Sequence, residues 1–276
     1  MRVGELISGP IHTISPEKSV YRAAELMNGQ GTDTLVVVDH GAVVGILTSR
    51  DVRSAHPNRI VADAMTPDPV TVSPGVFIWD ALKIMERHRI GRLLIRDGNT
   101  LAGMVTREAI RIKLSELLDP LTGLYREPYI RAIGEALLEK KQPFHLLFVD
   151  LNGFREINKR YGHPFGDDVI LAFARRMARW AKESRDYLCR YGGDEFVMIS
   201  NAEEETVDRF IRTISRPLSI NRVTVSAAVG HVNGLKEPRF FSMSFRDVLA
   251  KASLLSTCAK AAGEEESGEA GVFSPA

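Results

Sequence analysis

Laid against itself, roughly the first 110 residues of the chain match without a gap at a spacing of 58 residues. Ser15-Pro16 returns as Ser73-Pro74, and Ala23, Met27, Leu35, Asp39, Gly45 and Thr48 return as Ala81, Met85, Leu93, Asp97, Gly103 and Thr106. A repeat of this period is one supersecondary unit built twice. Each copy opens on a Thr-Ile-Ser-Pro or Thr-Val-Ser-Pro turn and continues into an amphipathic helix, Val20 to Met27 or Ile78 to Met85. An apolar strand follows (Thr34 to Val38; Arg92 to Ile95), then a turn at Asp39 or Asp97 and a second strand (Val43 to Leu47; Leu101 to Val105) before a closing helix. Two strands and two helices cannot bury a sheet face alone, so the copies are expected to pack together.

The repeat accounts for less than half of 276 residues, which leaves room for a second domain. With 44% hydrophobic and 26% charged residues the chain has apolar mass for two cores. Thirty-six Lys and Arg stand against 35 Asp and Glu, a net charge of +1. Such a chain has no global field for a polyanion, so no nucleic-acid partner is expected. Cys189 and Cys258 cannot build a disulfide framework and have no metal-ligand neighbours at short spacing, which fits a reducing compartment. The opening MRVGELISGP lacks the form of a signal peptide, and the stretch Thr34 to Leu47 is broken by Asp39 and His40. A cytoplasmic protein without a membrane partner is the expectation.

The repeated half resembles a tandem pair of CBS domains, most specifically in Gly-Ile-Leu-Thr-Ser-Arg-Asp, Gly45 to Asp51. The resemblance implies an adenine nucleotide (AMP, ADP or ATP) in the cleft between repeats, with Thr48 on phosphate and Asp51 on ribose. A strand-end hydroxyl can donate to phosphate, and a carboxylate at a helix start can accept from ribose hydroxyls. The second copy reads Gly-Met-Val-Thr-Arg-Glu-Ala: Thr106 is kept and Ala109 replaces the carboxylate, so one of two clefts is expected to be well equipped. The alternative is a structural, dimer-making module in which Asp51 is an ordinary helix cap.

Thr106 to Leu118 is helical in composition, with Ile110, Leu114, Leu117 and Leu118 on one face, and Asp119-Pro120 stops it. This connector either transmits motion between domains or packs on its neighbour. Beyond it the expected order is helix (Glu127 to Lys140), strand (His145 to Val149), helices Phe154 to Tyr161 and Asp168 to Trp180, and strands Tyr187 to Tyr191 and Glu195 to Ser200. A helix (Glu203 to Arg212), a strand (Val223 to Val229) and a last helix (Phe245 to Ala261) complete it. This pattern argues for a mixed sheet flanked by helices. Asp150 ends an apolar strand, where a carboxylate is costly without a partner. Asp194 and Glu195 follow two glycines in a tight turn, alone most simply a solvated hairpin tip. If the strands are neighbours, the carboxylates repel one another unless a divalent cation joins them, and oxygen ligands favour magnesium.

The joint pattern resembles the GGDEF family, the diguanylate cyclases, from Asp119 to about Gly263. Its motifs are Asp119-Pro-Leu-Thr-Gly-Leu-Tyr-Arg126, Asp150-Leu-Asn-Gly-Phe-Arg-Glu-Ile-Asn158, Tyr161-Gly-His-Pro-Phe-Gly-Asp167, Arg190-Tyr-Gly-Gly-Asp-Glu-Phe196 and Ala259-Lys-Ala-Ala-Gly263. The resemblance implies condensation of two GTP into cyclic di-GMP with loss of two pyrophosphates, each of two domains holding one GTP in a homodimer. It implies two Mg2+ per active site, with Mn2+ as a substitute, held by Asp150, the Leu151 carbonyl and Asp194, with Glu195 a further ligand or the base. Asn158 and Asp167 would read guanine. Arg155 and Lys260 would bind the terminal phosphates, with Phe154 and Gly193 bringing backbone N–H groups to them.

Several positions depart from the family pattern. Arg155 stands for the usual Lys, Asn152 for a common second Asp, and Glu264 for a phosphate-binding Arg. The product-inhibition motif reads Glu183-Ser-Arg-Asp186, with Asp186 in place and Arg185 two positions off, so no strong binding of cyclic di-GMP is expected there. A catalytically silent GTP-binding sensor is therefore the alternative function. His163 and His145 read as structural, Cys189 and Cys258 as apolar fillers, and Trp79 and Trp180 as core residues on helices. The expected fold class is α/β (α+β). Its parts are CBS repeats at 1–58 and 59–106, a connecting helix at 107–118, the GGDEF domain at 119–264 and a flexible acidic tail at 265–276.

Overall fold

The computed structural model describes residues 1–7, 9–182 and 185–268, with side chains through 262, and divides after Glu116 into two units. In the first unit, the repeated copy runs β1 (Thr13–Ile14), α1 (Val20–Gln30), β2 (Thr34–Asp39), β3 (Ala42–Thr48), α2 (Ser49–Ser54), α3 (Val61–Ala64) and β4 (Thr66–Pro67). Its second occurrence gives β5 (Thr71–Val72), α4 (Ile78–Arg87), β6 (Arg92–Asp97), β7 (Thr100–Thr106) and α5 (Arg107–Glu116). Ser19 caps α1, its hydroxyl accepting from the Arg22 N–H, and a left-handed Gly31 ends it. The apolar residues that recur at 58 are the core: Ala23, Met27, Leu35 and Leu47, and Ala81, Met85, Leu93 and Val105, are all buried. Fully burying a side chain of that size contributes about 1.5–3 kcal/mol.

The two copies on either side of the expected boundary between 58 and 59 are tied to each other, as packing of the pair requires. Val3, at the start of the first copy, hydrogen-bonds from its N–H to the Val76 carbonyl at 2.8 Å, and Gly4 to that of Pro74 at 3.0 Å. Val61, its counterpart, bonds back to Lys18, and Ala62 to Pro16. Each copy's leading turn thus packs on the other copy. Gly45 gives way to Met65 and Gly103 to Ile7, which occupy the space a side chain there would need. The two copies interlock because each lends the other a strip of core.

The expected connector ends early and belongs with the first unit. Helix α5 stops at Glu116, with Ile110 and Leu114 buried, and packs against α4 and β7. Leu118 instead bridges to Tyr125 in the second unit.

The second unit runs β8 (Tyr125–Arg126), α6 (Glu127–Glu139), β9 (His145–Leu151), α7 (Phe154–Tyr161), α8 (His163–Ala178), β10 (Asp186–Arg190), β11 (Glu195–Ser200) and α9 (Glu204–Ser215). A ribbon of β12 (Leu218–Ile220) and β13 (Val223–Val225) precedes β14 (Ala227–Asn233) and α10 (Phe245–Gly268). The sheet order is β14-β9-β11-β10-β8, antiparallel except where β8 joins β10. Strand β9 lies inside it, between β14 and β11, and is buried on both faces, so it reads as a nearly unbroken apolar run. Leu147, Val149 and Leu151 join the core under α8 and α9 with Phe173, Met177 and Phe210. The alternate positions, including Asp150, face the other side, where α10 packs on β9 and β14.

Three expected elements differ. The single strand expected over Val223 to Val229 is two strands in different sheets. It breaks at Ser226, whose carbonyl and hydroxyl both engage Asn152, at 2.9 Å each. Helix α8 begins at His163 rather than Asp168, with Pro164 in the first turn, and ends before Trp180, which is partly buried beside it. Helix α10 runs through Gly268, so the first four residues of the expected tail are helical; 269–276 lie outside the described residues. Cys189 is buried as expected, its thiol pushed well up by burial, whereas Cys258 is exposed and fills no core.

Candidate active site

Strand period and register bring the carboxylates together. Asp150, on the α10 side of β9, is the direct cross-strand partner of Glu195 on β11, so both side chains leave the same sheet face. Asp194 precedes Glu195 at the end of the two-glycine turn, and its carbonyl accepts from the Leu151 N–H at 3.4 Å. That turn is held from behind. Arg190 donates to the Gly193 carbonyl at 2.7 and 3.0 Å and to both oxygens of Asp119 at 3.1 Å. Asp119 also accepts from the Thr122 N–H and hydroxyl, at 2.8 and 2.7 Å. Burial pulls the Asp119 carboxyl upward, but the Thr122 and Arg190 hydrogen bonds outweigh it and hold the group below the usual range.

The other carboxylates are pushed the opposite way. Burial, then the Asp150 charge, raises the Asp194 carboxyl above its ordinary value, and burial with Asp150 and Asp194 does the same for Glu195. Lys260 opposes both shifts without cancelling them. Its ammonium sits 3.2 Å from Asp150 Oδ1 and 3.4 Å from the Leu151 carbonyl oxygen. Two of the three expected metal-ligating groups therefore already converge on a positive charge. Among the described residues no group of three or more His, Cys, Asp and Glu side chains is arranged to hold a metal. The fit for a dication is a set of carboxylates plus one main-chain oxygen, the hard-ligand chemistry of magnesium.

A cavity of about 340 Å³ opens beside this cluster, lined by Phe154, Arg155, Asn158, Lys159, His163 and Asp194. Asn158 lies against Gly166 of α8, which has no room for a side chain, and its Oδ1 is buried without a hydrogen-bond donor. An orphaned acceptor in a cavity wall costs about 1–3 kcal/mol until a ligand N–H fills it. Asp167 is exposed on α8 next to Gly166 and outside the cavity lining, as are Gly193 and Lys260. Lys159 and His163 line it although the sequence pointed to neither as a ligand group. Lys159 was legible in principle, one helical turn from Arg155 on α7. The side chain of Glu264 lies outside the described residues.

In the first unit, Thr48 and Asp51 form a reciprocal cap on α2. The Thr48 hydroxyl donates to Asp51 Oδ2 at 2.7 Å, its N–H at 2.8 Å, and Thr48 Oγ1 receives the Asp51 N–H. In the second copy, Thr106 Oγ1 accepts from the Ala109 N–H at 3.1 Å with no reciprocal bond.

Asp186 is closed off. Its side chain, 2% exposed, accepts from the Ser200 hydroxyl at 2.5 Å, the Lys182 N–H at 2.8 Å and the Arg185 guanidinium. Glu183 and Ser184 of the expected motif lie outside the described residues. Asp186→Ala is expected to lower stability by about 1–3 kcal/mol, since it strands a buried hydroxyl. Chemical denaturation of wild type and variant measures the change.

Comparison with known families agrees with this geometry. The family described as "Diguanylate cyclase, GGDEF domain" matches residues 116–237, and the CBS domain matches residues 3–58 and 61–116. The chain carries two CBS domains and a GGDEF domain. It is 34% identical over 133 residues to the bifunctional diguanylate cyclase/cyclic di-GMP phosphodiesterase MucR of Pseudomonas aeruginosa, covering 45% of this chain and 19% of MucR. The diguanylate cyclase VdcA of Vibrio cholerae is 31% identical over 116 residues, 42% of this chain and 33% of VdcA. The CBS domain-containing protein YhcV of Bacillus subtilis is 32% identical over 109 residues, 37% of this chain and 78% of YhcV. The chain thus spans a fifth to a third of the two cyclase relatives. Among the described residues no helix is long and apolar enough to cross a membrane.

Proposed function

We propose that the chain is a diguanylate cyclase, condensing two GTP into cyclic di-GMP and two pyrophosphates, and that an adenine nucleotide held by its CBS pair controls it. The observation that carries this reading is the gathering of Asp150, Asp194 and Glu195, with Asp194 in the cavity wall and the oxygens of Asp150 and Leu151 sharing the Lys260 ammonium. Asn158, with its unfilled acceptor, and Asp167 on the adjoining helix suit the N–H edge of guanine. Arg155 and Lys159, one turn apart and without ion pairs among the described residues, suit the triphosphate.

In this reaction a ribose 3′-oxygen bonds to the α-phosphorus of a second GTP, the bond from that phosphorus to the pyrophosphate oxygen breaks, and the hydroxyl proton leaves. Glu195, whose carboxyl is raised by burial, would take that proton. Asp150, the Leu151 carbonyl and Asp194 would hold magnesium, which when bound would supply neutralisation of the charge on the reacting phosphates. Lys260 then moves from Asp150 to a phosphate. Because each domain holds one GTP, the working form is a homodimer, in the cytoplasm.

The test is incubation with GTP and magnesium, with and without AMP, ADP and ATP, and identification of the product. Cyclic di-GMP formed at a rate that adenine nucleotide alters is the expected result. GTP bound but unconverted would instead indicate a silent sensor, and a rate indifferent to all three nucleotides would remove the regulatory half. Titration with cyclic di-GMP is expected to show no tight site at Asp186, whose carboxylate is already occupied.

The raised carboxyls also predict a pH dependence. In the window above the ordinary carboxylate range the folded protein keeps protons on Asp194 and Glu195 that the unfolded chain has lost. Their contribution to stability is therefore full at lower pH and lost as pH rises through the folded values. Without divalent cations, the melting temperature gained from this source is expected to fall as pH rises above the ordinary carboxylate range. Added magnesium should raise the melting temperature most at the higher pH. Thermal melts of wild type and Asp194→Asn check this, the variant showing the flatter profile.

A further inference from the structure

At the end of β9 away from the carboxylate cluster, the GGDEF sheet carries two histidines that the proposed reaction does not use. His145 opens β9 and His231 lies on β14, one diagonal step away, because His145 pairs with Asn233 and His231 with Leu147. Their imidazoles stack with centroids 5.2 Å apart and planes at 24°, and His145 Nδ1 lies 2.9 Å from His231 Nε2. His145 is only 3% exposed, so this contact is made out of reach of bulk water. By strand alternation both rings share the face of Leu147, Val149, Ala227 and Val229, the face that α9 covers.

A hydrogen bond joins the two rings only while one facing nitrogen carries a proton and the other does not. Neutral rings meet that condition. One added proton goes to an outward nitrogen and leaves a charge in the core, and a second sets two N–H groups against each other. The charged groups around the pair are Glu204 and Asp208 on α9 and Lys236 in the turn after β14. Strand β11 places Ser200 opposite His145, its hydroxyl already given to Asp186, and α10 packs on the other face of both strands. Burial holds both rings below the ordinary histidine value, helped at His231 by His145. Glu204 and Asp208 oppose the shift without cancelling it, and Lys236 adds to it. The cover over the pair is weakly fastened. Among the described residues the first turn of α9 has no side-chain cap at Glu203, and its tie to the turn after β14 is a surface ion pair, Glu204 to Lys236 at 2.6 Å.

We infer that the His145–His231 pair is an acid-operated latch on α9. With both rings neutral it seats the first turns of that helix on the sheet, and a proton taken from solvent opens the seam and admits water to the imidazolium. A charge left in the closed seam would lack the hydration it has in the open one. Because the folded rings resist protonation, their contribution to stability is present above the ordinary histidine value and is lost as pH falls through it toward the lowered folded values. That sign is opposite to the one argued for Asp194 and Glu195 at the other end of β9, so the two effects separate by direction as well as by place. The latch goes beyond the cyclase reading and does not depend on it.

The test is hydrogen exchange on the full chain without nucleotide or divalent cation, corrected for the intrinsic pH dependence of exchange, together with NMR titration of the imidazoles. Protection over residues 204–215 is expected to fall as pH drops below about 6.5, by up to about tenfold per pH unit for each proton taken up. Protection over 245–262, on the other face of the sheet, should hold across the same range. His231→Gln keeps an amide near His145 but removes one titrating ring, so its α9 protection should respond to pH less steeply. His40→Gln, at an exposed turn of the CBS unit, should leave the response as it is in wild type. If His231→Gln does not fold, the wild-type titration decides: both imidazoles taking up protons below the ordinary value, in step with the loss of α9 protection, is the expected result. Imidazoles that titrate at the ordinary value, α9 protection that stays flat while they titrate, or an undiminished response in folded His231→Gln would overturn the latch. Cyclase activity is not a readout, so a failure here is distinct from failure of the proposed reaction.

Discussion

Replacing Asp194 with alanine is expected to abolish formation of cyclic di-GMP from GTP and magnesium, by roughly a thousandfold or more in kcat. Asp194 belongs both to the carboxylate cluster and to the wall of the cavity beside it, where the proposed reaction would bring metal and reacting phosphate together. Its loss removes a dication ligand but leaves Phe154, Arg155 and Asn158 in the cavity wall. GTP affinity should therefore change by less than about tenfold, since most contacts with the nucleotide remain. The variant should also melt no lower than wild type, because a half-buried carboxylate repelled by Asp150 is a cost to the metal-free fold. Product quantification, a GTP titration and a thermal melt distinguish the outcomes. A folded variant retaining more than about a tenth of the wild-type rate would remove Asp194 from the chemistry.

The cluster was legible because its parts are local and periodic. Asp150 ends an apolar run, Asp194 and Glu195 follow paired glycines, and strand alternation decides which face each side chain takes. What the sequence could not show was the pairing of β9 with β11, which sets Asp150 opposite Glu195, or the reach of Lys260 across 110 residues to Asp150. His163 was hidden for a similar reason: it becomes a cavity residue only because α7 and α8 pack side by side, whereas the spacing of Lys159 from Arg155 on α7 could have been read. The break at Ser226 went unseen because no Gly or Pro punctuates Val223 to Val229, and the hydrogen bonds that interrupt it come from Asn152, 74 residues away.

In the CBS unit the repeat itself was plain, but the crossing of its leading turns onto the other copy was not. A spacing of 58 identifies equivalent positions and is silent about which copy an equivalent position packs on. The leading turns cross over because Val3 and Val61 each lie against the other copy's helix entry, at Val76 and Lys18. This crossing has a functional consequence. A ligand that pulls on Arg92 and Asp33, which join the two copies, acts on an interlocked body rather than on one repeat, and α5 is packed on that body through Ile110 and Leu114. Ligand occupancy can bias the position of α5 only if it favours one packing of the pair energetically.

Gly230→Ala is expected to give the largest loss of stability in the GGDEF unit. Gly230 lies in the middle of β14, opposite Phe148 of β9, where α10 crosses the sheet. A methyl group there would run into the Ala252 carbonyl oxygen and the Ser256 N–H of α10. Both are main-chain atoms in buried helix, with Ala252 fully buried and Ser256 1% exposed, so neither can swing aside as a side-chain end would. Overpacking typically costs 1–3 kcal/mol, and a clash with rigid backbone belongs at about 3 kcal/mol or above. For a unit of this size that is a fall in melting temperature of roughly 6–12 °C. The same displacement reaches the active site, because Lys260 lies one turn beyond Ser256 and its ammonium is positioned 3.2 Å from Asp150 only while α10 keeps its seat. The variant should thus lose cyclase activity at temperatures where it is still folded. Adding Ala252→Gly is expected to restore neither property, since the obstruction is the carbonyl oxygen and not the methyl group. Rescue by that second substitution would mean that side-chain crowding, and not backbone approach, fixes the distance between α10 and the sheet.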